Sequence, residues 1–169
     1  MDLQLTDDQA TTSERSAVDR VVGAPASGWE GGPRRADTEG HFAIGGHQAR
    51  SRRHLLLPAL WSVQEHIGWV SPGAMAYICR RILVPPADAY GVLTFYALLS
   101  TTPRPPRVLH VCEDIACRCH GSQELIAALE DRLGPEGTLA TDGAITWLRV
   151  AGLGQCDRAP AAMLSIAGE

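Results

Sequence analysis

The sequence predicts an α+β protein, in which a helical bundle over residues 51–100 is followed by an α/β domain over residues 107–169. Two observations support this fold class. Apolar residues recur at helical spacings of three and four in the first region, whereas the second region has the short apolar runs and alternation that are typical of strands. The length of 169 residues and the apolar content of 45% suffice for one domain with an appendage.

Residues 1–50 are predicted to form a flexible N-terminal arm. Gly, Ala, Thr, Asp and Arg dominate this region, and it shows little hydrophobic periodicity. Turn-prone pieces occur at Gly31-Gly32-Pro33 and Gly45-Gly46. A segment of this kind is also able to order on a partner, and the sequence leaves that alternative open.

Three helices are predicted in the bundle. The first ends at Gly68 and has an apolar stripe that consists of Leu56, Leu60, Val63 and Ile67. The second begins at Ser71-Pro72, a cap residue followed by proline at the first helical position, and its apolar face contains Met75, Cys79 and Ile82. The third follows Pro85-Pro86 and contains Val92, Phe95, Tyr96 and Leu99. Short loops between such helices are typical of a small bundle.

The last region alternates between strand and helix patterns. Val108–Val111 is a short apolar run, and residues 122–133 have a helical stripe that ends at Gly134-Pro135. Two further strands are predicted at residues 144–150 and 161–166. The order strand, helix, strand, strand resembles the core of a thioredoxin-like α/β domain.

Composition excludes several classes of function. All 15 basic residues are arginine, so neither a Schiff-base lysine nor a phosphate-loop lysine is present. The net charge of −4 argues against a protein that binds nucleic acid. No secretory signal is recognisable at the N-terminus, and the apolar stretch from Leu55 to Val70 is too short and too polar to span a membrane. We therefore expect a cytoplasmic protein without membrane insertion.

The five cysteines point to metal or redox chemistry. Their odd number, with three of them in eight residues, is a poor disulfide framework. Cys112 follows the first predicted strand, Cys117 precedes a helix, and Cys156 lies in a glycine-containing loop after another strand. Loops at the same ends of neighbouring strands converge in a thioredoxin-like core, so these cysteines could share one iron–sulfur cluster. Cys79 is expected to fill the core of the bundle.

A family resemblance rests on several stretches in one order, which are Leu56–Leu60, Gln64–Trp69, Ser71-Pro72, Gly91–Tyr96, Val111-Cys112 with Cys117, and Leu153–Pro160. Through them, residues 55–166 resemble the thioredoxin-like [2Fe–2S] subunit of NADH dehydrogenases, which is the peripheral E subunit of bacterial complex I. Relatives of that subunit occur in NAD-linked formate dehydrogenases and NAD-reducing hydrogenases.

The resemblance implies an electron-transfer subunit without a substrate pocket of its own. It would hold a [2Fe–2S] cluster near the flavin of a partner flavoprotein, which binds FMN and NAD(H) and carries a [4Fe–4S] cluster. Larger iron–sulfur or catalytic subunits would complete the complex. The same resemblance suggests that Phe95 and Tyr96 help to present the helical region to a partner.

The sequence departs from the family pattern, in which C-x4-C is followed by C-x3-C. Cys112, Cys117 and Cys156 match the pattern, but Gly152 occupies the remaining position and has no side chain that could bind iron. Cys119 is an additional cysteine, and the chain ends soon after the last predicted strand, where family members usually continue. The predicted metal ligands are therefore Cys112, Cys117, Cys156 and Cys119.

Three consequences of Gly152 remain open at this point. Cys119 or His120 could replace the missing ligand, and a histidine ligand would raise the reduction potential. Three cysteines could hold a more labile cluster together with another ligand. Alternatively, the cluster is lost and the chain is a structural or assembly subunit of the same complex. A free-standing electron shuttle and a zinc site from the Cys112–His120 region are weaker hypotheses, because a shuttle needs no bundle and the local spacing is too tight for zinc.

Overall fold

The computed structural model describes residues 8–25, 50–140 and 143–168. The chain divides into two compact units between Thr102 and Pro103. The first unit is helical and the second contains the sheet, so the predicted α+β class is confirmed. Among the described residues, no helix is long and apolar enough to cross a membrane.

Within residues 8–25 and 50–102 the first unit has four helices with defined bounds, and a single 3-10 turn at Arg53–Leu55 precedes the second of them. The helices are α1 (Thr12–Val22), α2 (Leu56–Ile67), α3 (Pro72–Ile82) and α4 (Pro86–Phe95). Local signals set the C-terminal end of α2 and the N-terminal end of α3, as the sequence predicts. Gly68 ends α2 in the left-handed conformation, with φ of 92°, and the Ser71 hydroxyl accepts from the Ala74 amide at 3.0 Å.

Helix α1 corrects the prediction of a flexible arm over residues 1–50. Thr11 and Glu14 form a capping box, and Ala17 and Val18 are completely buried in the core of the helical unit. The sequence pattern is weak here because this face of the helix buries small apolar residues together with the polar Glu14. The rest of the predicted arm, at residues 1–7 and 26–49, lies outside the described residues.

Polar contacts attach α1 to the helices around it. The Ser62 hydroxyl on α2 donates to the Ala17 carbonyl at 2.7 Å. The fully buried guanidinium of Arg81 on α3 pairs with Asp19, which also accepts from the Tyr77 hydroxyl at 2.9 Å. These bonds satisfy polar groups that would otherwise be costly to bury. Helix α1 is therefore an integral part of this unit.

Helix α4 is shorter than the sequence predicts, because it ends at Phe95 and leaves the predicted Tyr96 and Leu99 beyond it. This helix buries Ala89 and Leu93, whereas Phe95 is 79% exposed at its end and Tyr96 beyond it is also exposed. Leu99 is buried, but it lies past the end of the helix. Since α4 is apolar around much of its circumference, the spacing alone does not identify the face that packs inward.

The second unit contains a three-stranded sheet with helices α5 (Ile115–Cys119) and α6 (Ser122–Leu133). Its strands are β1 (Arg107–Cys112), β2 (Ile145–Val150) and β3 (Ala162–Ile166), and β1 lies in the centre. Strand β2 pairs with β1 in parallel, and β3 pairs with it in the antiparallel direction. This arrangement follows the predicted order of strand, helix, strand, strand.

The core of the second unit lies between the sheet and α6. Val111, Ile126 and Trp147 form its buried centre. The Trp147 indole donates to the Gly134 carbonyl at 2.9 Å, which satisfies its only polar group. This core fixes β1 and β2 side by side, and their carboxyl ends position the cysteines described next.

Candidate metal centre

Strands β1 and β2 end side by side at one edge of the sheet. Their last residues, Cys112 and Val150, lie opposite each other in the parallel ladder. The Glu113 amide donates to the Val150 carbonyl at 3.0 Å, so the two segments stay together beyond the strands. Strand β3 runs antiparallel to β1 and begins at this edge. The segments that carry Cys117 and Cys156 therefore leave the sheet from neighbouring points.

Cys112 and Cys117 form a buried pair of thiols. Only 3% of Cys112 and 1% of Cys117 are exposed, and the Cys117 thiol donates a hydrogen bond to the Cys112 sulfur. Leu153 and Ala159 pack against this pair. The two thiols are thus already together and shielded from water.

The short helix α5 positions Cys117. The Asp114 carboxylate caps it by accepting from the Ile115 amide at 2.7 Å. The sequence predicts Cys117 in a loop before a helix, whereas the structure places it inside α5. The helical turn directs the Cys117 side chain inward, toward Cys112.

Ala161 contacts both buried cysteines through its backbone. Its carbonyl accepts from the Cys112 amide at 3.0 Å, and its own amide donates to the Cys117 sulfur. Sequence reasoning missed this residue, because a backbone donor leaves no signature in the side chain. The only available signal was its position as the first residue of the third predicted strand, at residues 161–166.

Opposing contributions act on the pKa of Cys117. The hydrogen bond from the Ala161 amide lowers it, whereas burial and the neighbouring Cys112 and Cys156 thiols raise it. The net direction is upward from the ordinary value. Negative charge on one of these sulfurs disfavours negative charge on its neighbours. A cationic metal centre bound by all of them would remove this repulsion, so the cysteines are suited to bind one.

Cys156 approaches from the segment after β2. It begins a single 3-10 turn, Cys156–Arg158, and its side chain is exposed. It is close enough to Cys117 to raise the pKa of that thiol. The structure therefore brings the three family-matched cysteines into one region, with two buried and one at the surface.

Cys119 lies on the other side of α5, and His120 follows the end of this helix. Residues two apart on a helix point about 200° away from each other, since each residue turns the helix by about 100°. In agreement with this, Cys117 is buried and Cys119 is exposed. The Nδ1 atom of His120 lies 2.8 Å from the Ala116 carbonyl, so that nitrogen is occupied.

Gly152 lies at the open side of the site. A Cβ atom added there meets nothing within 4 Å, and its backbone is not in the left-handed region. Gly154 differs, because its φ of 67° lies in that region. A side chain at position 152 is therefore compatible with the fold.

A buried histidine lies two residues before Cys112 on β1. Burial, and after it the positive charge of Arg104, lowers the pKa of His110 to about 4. Its Nδ1 atom has no hydrogen-bond partner among the described residues. The imidazole is thus neutral at neutral pH and adds no charge to the site.

The donor set suits a two-iron cluster better than a single ion. Within residues 8–25, 50–140 and 143–168, no three side chains of His, Cys, Asp or Glu converge closely enough to hold one metal ion. A [2Fe–2S] cluster has two irons and four protein ligands, so its ligands are needed as two pairs. The contacting thiols of Cys112 and Cys117 form one such pair, and Cys156 has no second cysteine on its own segment.

Comparisons with known proteins agree with this chemistry. The family model of the thioredoxin-like [2Fe-2S] ferredoxin matches residues 43–167. The E subunit of NADH-quinone oxidoreductase from Pseudomonas aeruginosa is 34% identical over 119 residues, which are 70% of this chain and 72% of that protein. The corresponding subunit of Escherichia coli K12 matches to the same extent.

A relative from a third bacterium gives a similar result. NADH-quinone oxidoreductase subunit 2 of Thermus thermophilus is 33% identical over 110 residues, which are 64% of this chain and 61% of that protein. The family match covers the cysteine-bearing unit and most of the described helical unit. This chain belongs to the thioredoxin-like [2Fe–2S] ferredoxin family.

Proposed function

We propose that this chain is an electron-transfer subunit of a multi-subunit NAD(H)-linked oxidoreductase and holds a [2Fe–2S] cluster. The observation that carries the proposal is the buried, contacting pair Cys112 and Cys117, with Cys156 on the adjacent segment. Relatives that bear the name of the NADH-quinone oxidoreductase E subunit support the type of complex.

In this proposal Cys112 and Cys117 bind one iron, and Cys156 binds the other. The cluster supplies a site that accepts and returns one electron. The residues of this chain bury the first iron and exclude water from it, and the Ala161 amide donates a hydrogen bond to the Cys117 sulfur. Hydrogen bonds to sulfur and burial are the means by which a protein sets the reduction potential of such a centre.

The NADH chemistry belongs to a partner subunit in this proposal. That partner is a flavoprotein that binds FMN and NAD(H) and carries a [4Fe–4S] cluster, and this chain exchanges electrons with its flavin. Larger iron–sulfur or catalytic subunits complete the complex. We retain a cytoplasmic location, because cluster assembly needs free thiols and all five cysteines are free.

A second candidate function is a structural or assembly subunit of the same complex, without a cluster. It is favoured by Gly152, which leaves one of the four ligand positions without a side chain. The buried thiol pair counts against it, because packing alone does not require two contacting thiols with a backbone donor.

The two candidates are separated by cluster content in the assembled complex. The chain is co-expressed with its flavoprotein partner, and iron, acid-labile sulfide and the EPR spectrum after dithionite reduction are measured. The same complex with Cys117→Ser is the control, since the partner has iron of its own. The electron-transfer proposal expects a rhombic [2Fe–2S] signal and about two more irons in the wild type than in the variant. Equal iron content in two intact complexes would favour the assembly role.

A further inference from the structure

The second iron of the proposed cluster has one protein ligand and one open position. In the segment from Ala151 to Cys156, Cys156 is the only thiol. Gly152 lies on that segment and has free space beside its Cα atom, since an added Cβ meets nothing within 4 Å. Cys156 is exposed, so this half of the site is open to solvent. A molecule from solution therefore has access to the iron that Cys156 holds.

Side chains of α5 are poorly placed to fill this position. Cys119 points away from the Cys117 side of the helix and is exposed. Moving Cys119 inward would unwind α5. Two backbone hydrogen bonds hold this helix: the Arg118 amide donates to the Asp114 carbonyl at 2.9 Å, and the His120 amide donates to the Cys117 carbonyl at 3.1 Å. The Nδ1 atom of His120 is held at 2.8 Å from the Ala116 carbonyl, which leaves only its Nε2 atom for iron, and this side chain is also exposed.

Carboxylates near Cys156 are also poor substitutes. Asp157 follows Cys156 directly, but its carboxylate is exposed and lies 3.8 Å from the Arg158 guanidinium. Oxygen donors suit hard cations, whereas the irons of iron–sulfur clusters are bound by soft thiolate sulfur. The open position therefore favours sulfur.

We propose that a low-molecular-weight thiol from solution completes the cluster beside Gly152. The thiol releases its proton to solvent, and its sulfur forms a bond to the iron held by Cys156, displacing a water molecule or hydroxide. No electron is transferred in this step. This inference rests on the proposed function, because it requires the cluster.

The test uses the full chain, reconstituted anaerobically with iron and sulfide. The buffer contains a phosphine as the only reductant, with or without glutathione, so that the reducing and the ligating effects of a thiol are separated. Iron and acid-labile sulfide are followed over time after a chelator is added. Native mass spectrometry measures whether one glutathione remains on the cluster-bearing chain.

Two variants at one position provide matched controls. Gly152→Cys supplies an internal thiolate, and Gly152→Ala adds a side chain in the same free space without a ligand. We expect glutathione to slow cluster loss about tenfold in the wild type and in Gly152→Ala, the size of effect typical when metal-site contacts change. Gly152→Cys should retain its cluster without glutathione and show no added mass from it.

Three results would count against these ideas, and they are distinguishable. A wild-type cluster that is equally stable in phosphine alone overturns the thiol inference. Loss of the cluster in Cys119→Ser or in His120→Ala in the presence of glutathione also overturns it, because the fourth ligand is then internal. Failure of every variant, including Gly152→Cys, to bind iron and sulfide overturns the proposed function and this inference together.

Discussion

The backbone amide of Ala161 donates a hydrogen bond to the sulfur of Cys117. This bond joins the start of the third strand to helix α5, and the Ala161 carbonyl accepts from the Cys112 amide at 3.0 Å. One residue without a functional side chain thus contacts both members of the buried thiol pair. Its amide is positioned to stabilise negative charge on a cluster ligand.

We expect Ala161→Pro to lower the reduction potential of the cluster, because it removes the only N–H group of this residue. The reduced cluster carries more negative charge and gains more from the hydrogen bond than the oxidised one. If the bond is stronger by about 1 kcal/mol in the reduced state than in the oxidised state, its loss lowers the potential by about 40 mV for one electron. A redox titration followed by EPR measures the potential. Ala161→Gly keeps the amide and is the control; an equal decrease in both variants would contradict this role.

The two glycines before Cys156 should respond differently to alanine. Gly154 has φ of 67°, where an L-residue is strained, whereas Gly152 lies outside that region and has free space around it. Gly154→Ala is expected to lower the free energy of unfolding by about 1 kcal/mol, and Gly152→Ala to leave it nearly unchanged. Urea denaturation of the two variants under reducing conditions measures this difference. If both alanine variants were destabilised equally, the backbone conformations of Gly152 and Gly154 would not differ in the way described above.

Much of the arrangement around the site follows from the sequence. Gly68 predicts where α2 ends and Ser71-Pro72 predicts where α3 begins, because capping is a local interaction. The proximity of the segments that carry Cys117 and Cys156 follows from strand order, since these segments follow parallel neighbouring strands that end at one edge. Signals of both kinds depend on a few consecutive residues or on the order of elements along the chain.

Other features depend on partners distant in the sequence and were missed for that reason. Helix α1 has a capping box, but its stability depends on packing against α2 and α3 through small residues. The burial of one face of α4, and thus the exposure of Phe95, is decided by the neighbouring helices. The Ala161 bond uses the backbone, which every residue shares.

Cys79 should behave as a core residue and contribute a dependence of stability on high pH. Burial raises the pKa of its thiol from 9.0 to about 11. The unfolded chain therefore releases this proton first, so the free energy of unfolding falls as the pH rises from about 9 to about 11, by up to about 2 kcal/mol. Chemical unfolding followed by circular dichroism, compared with Cys79→Ala, isolates this contribution.

The same thiol gives a simpler test by alkylation. In the native chain without a cluster, iodoacetamide at pH 8 should label the exposed Cys119 and Cys156 and leave Cys79 unmodified. Peptide mass spectrometry identifies the labelled positions. Rapid labelling of Cys79 would contradict its burial, and loss of the cluster in Cys79→Ala would contradict its assignment to the core.

Asp19→Ala tests whether α1 is an integral part of the helical unit. Asp19 pairs with Arg81, which is completely buried, and accepts from the Tyr77 hydroxyl at 2.9 Å. Without Asp19, the Arg81 charge stays buried with the Gly23 carbonyl and the Tyr77 hydroxyl as its remaining polar contacts. Removal of one partner from a buried ion pair costs about 3–5 kcal/mol, and we expect a decrease near the lower value because Asp19 is partly exposed.

Chemical denaturation followed by helical circular dichroism measures this loss. Glu65→Gln is the matched control, since it also removes one negative charge, from an exposed position on α2, and should change the free energy of unfolding by less than about 0.5 kcal/mol. A double variant, Asp19→Ala with Arg81→Met, replaces the buried charge with an apolar side chain and should recover part of the loss. If the free energy of unfolding of Asp19→Ala equals that of Glu65→Gln, the Asp19–Arg81 pair does not hold α1 in place. The flexible arm predicted from the sequence would then extend through residues 12–22.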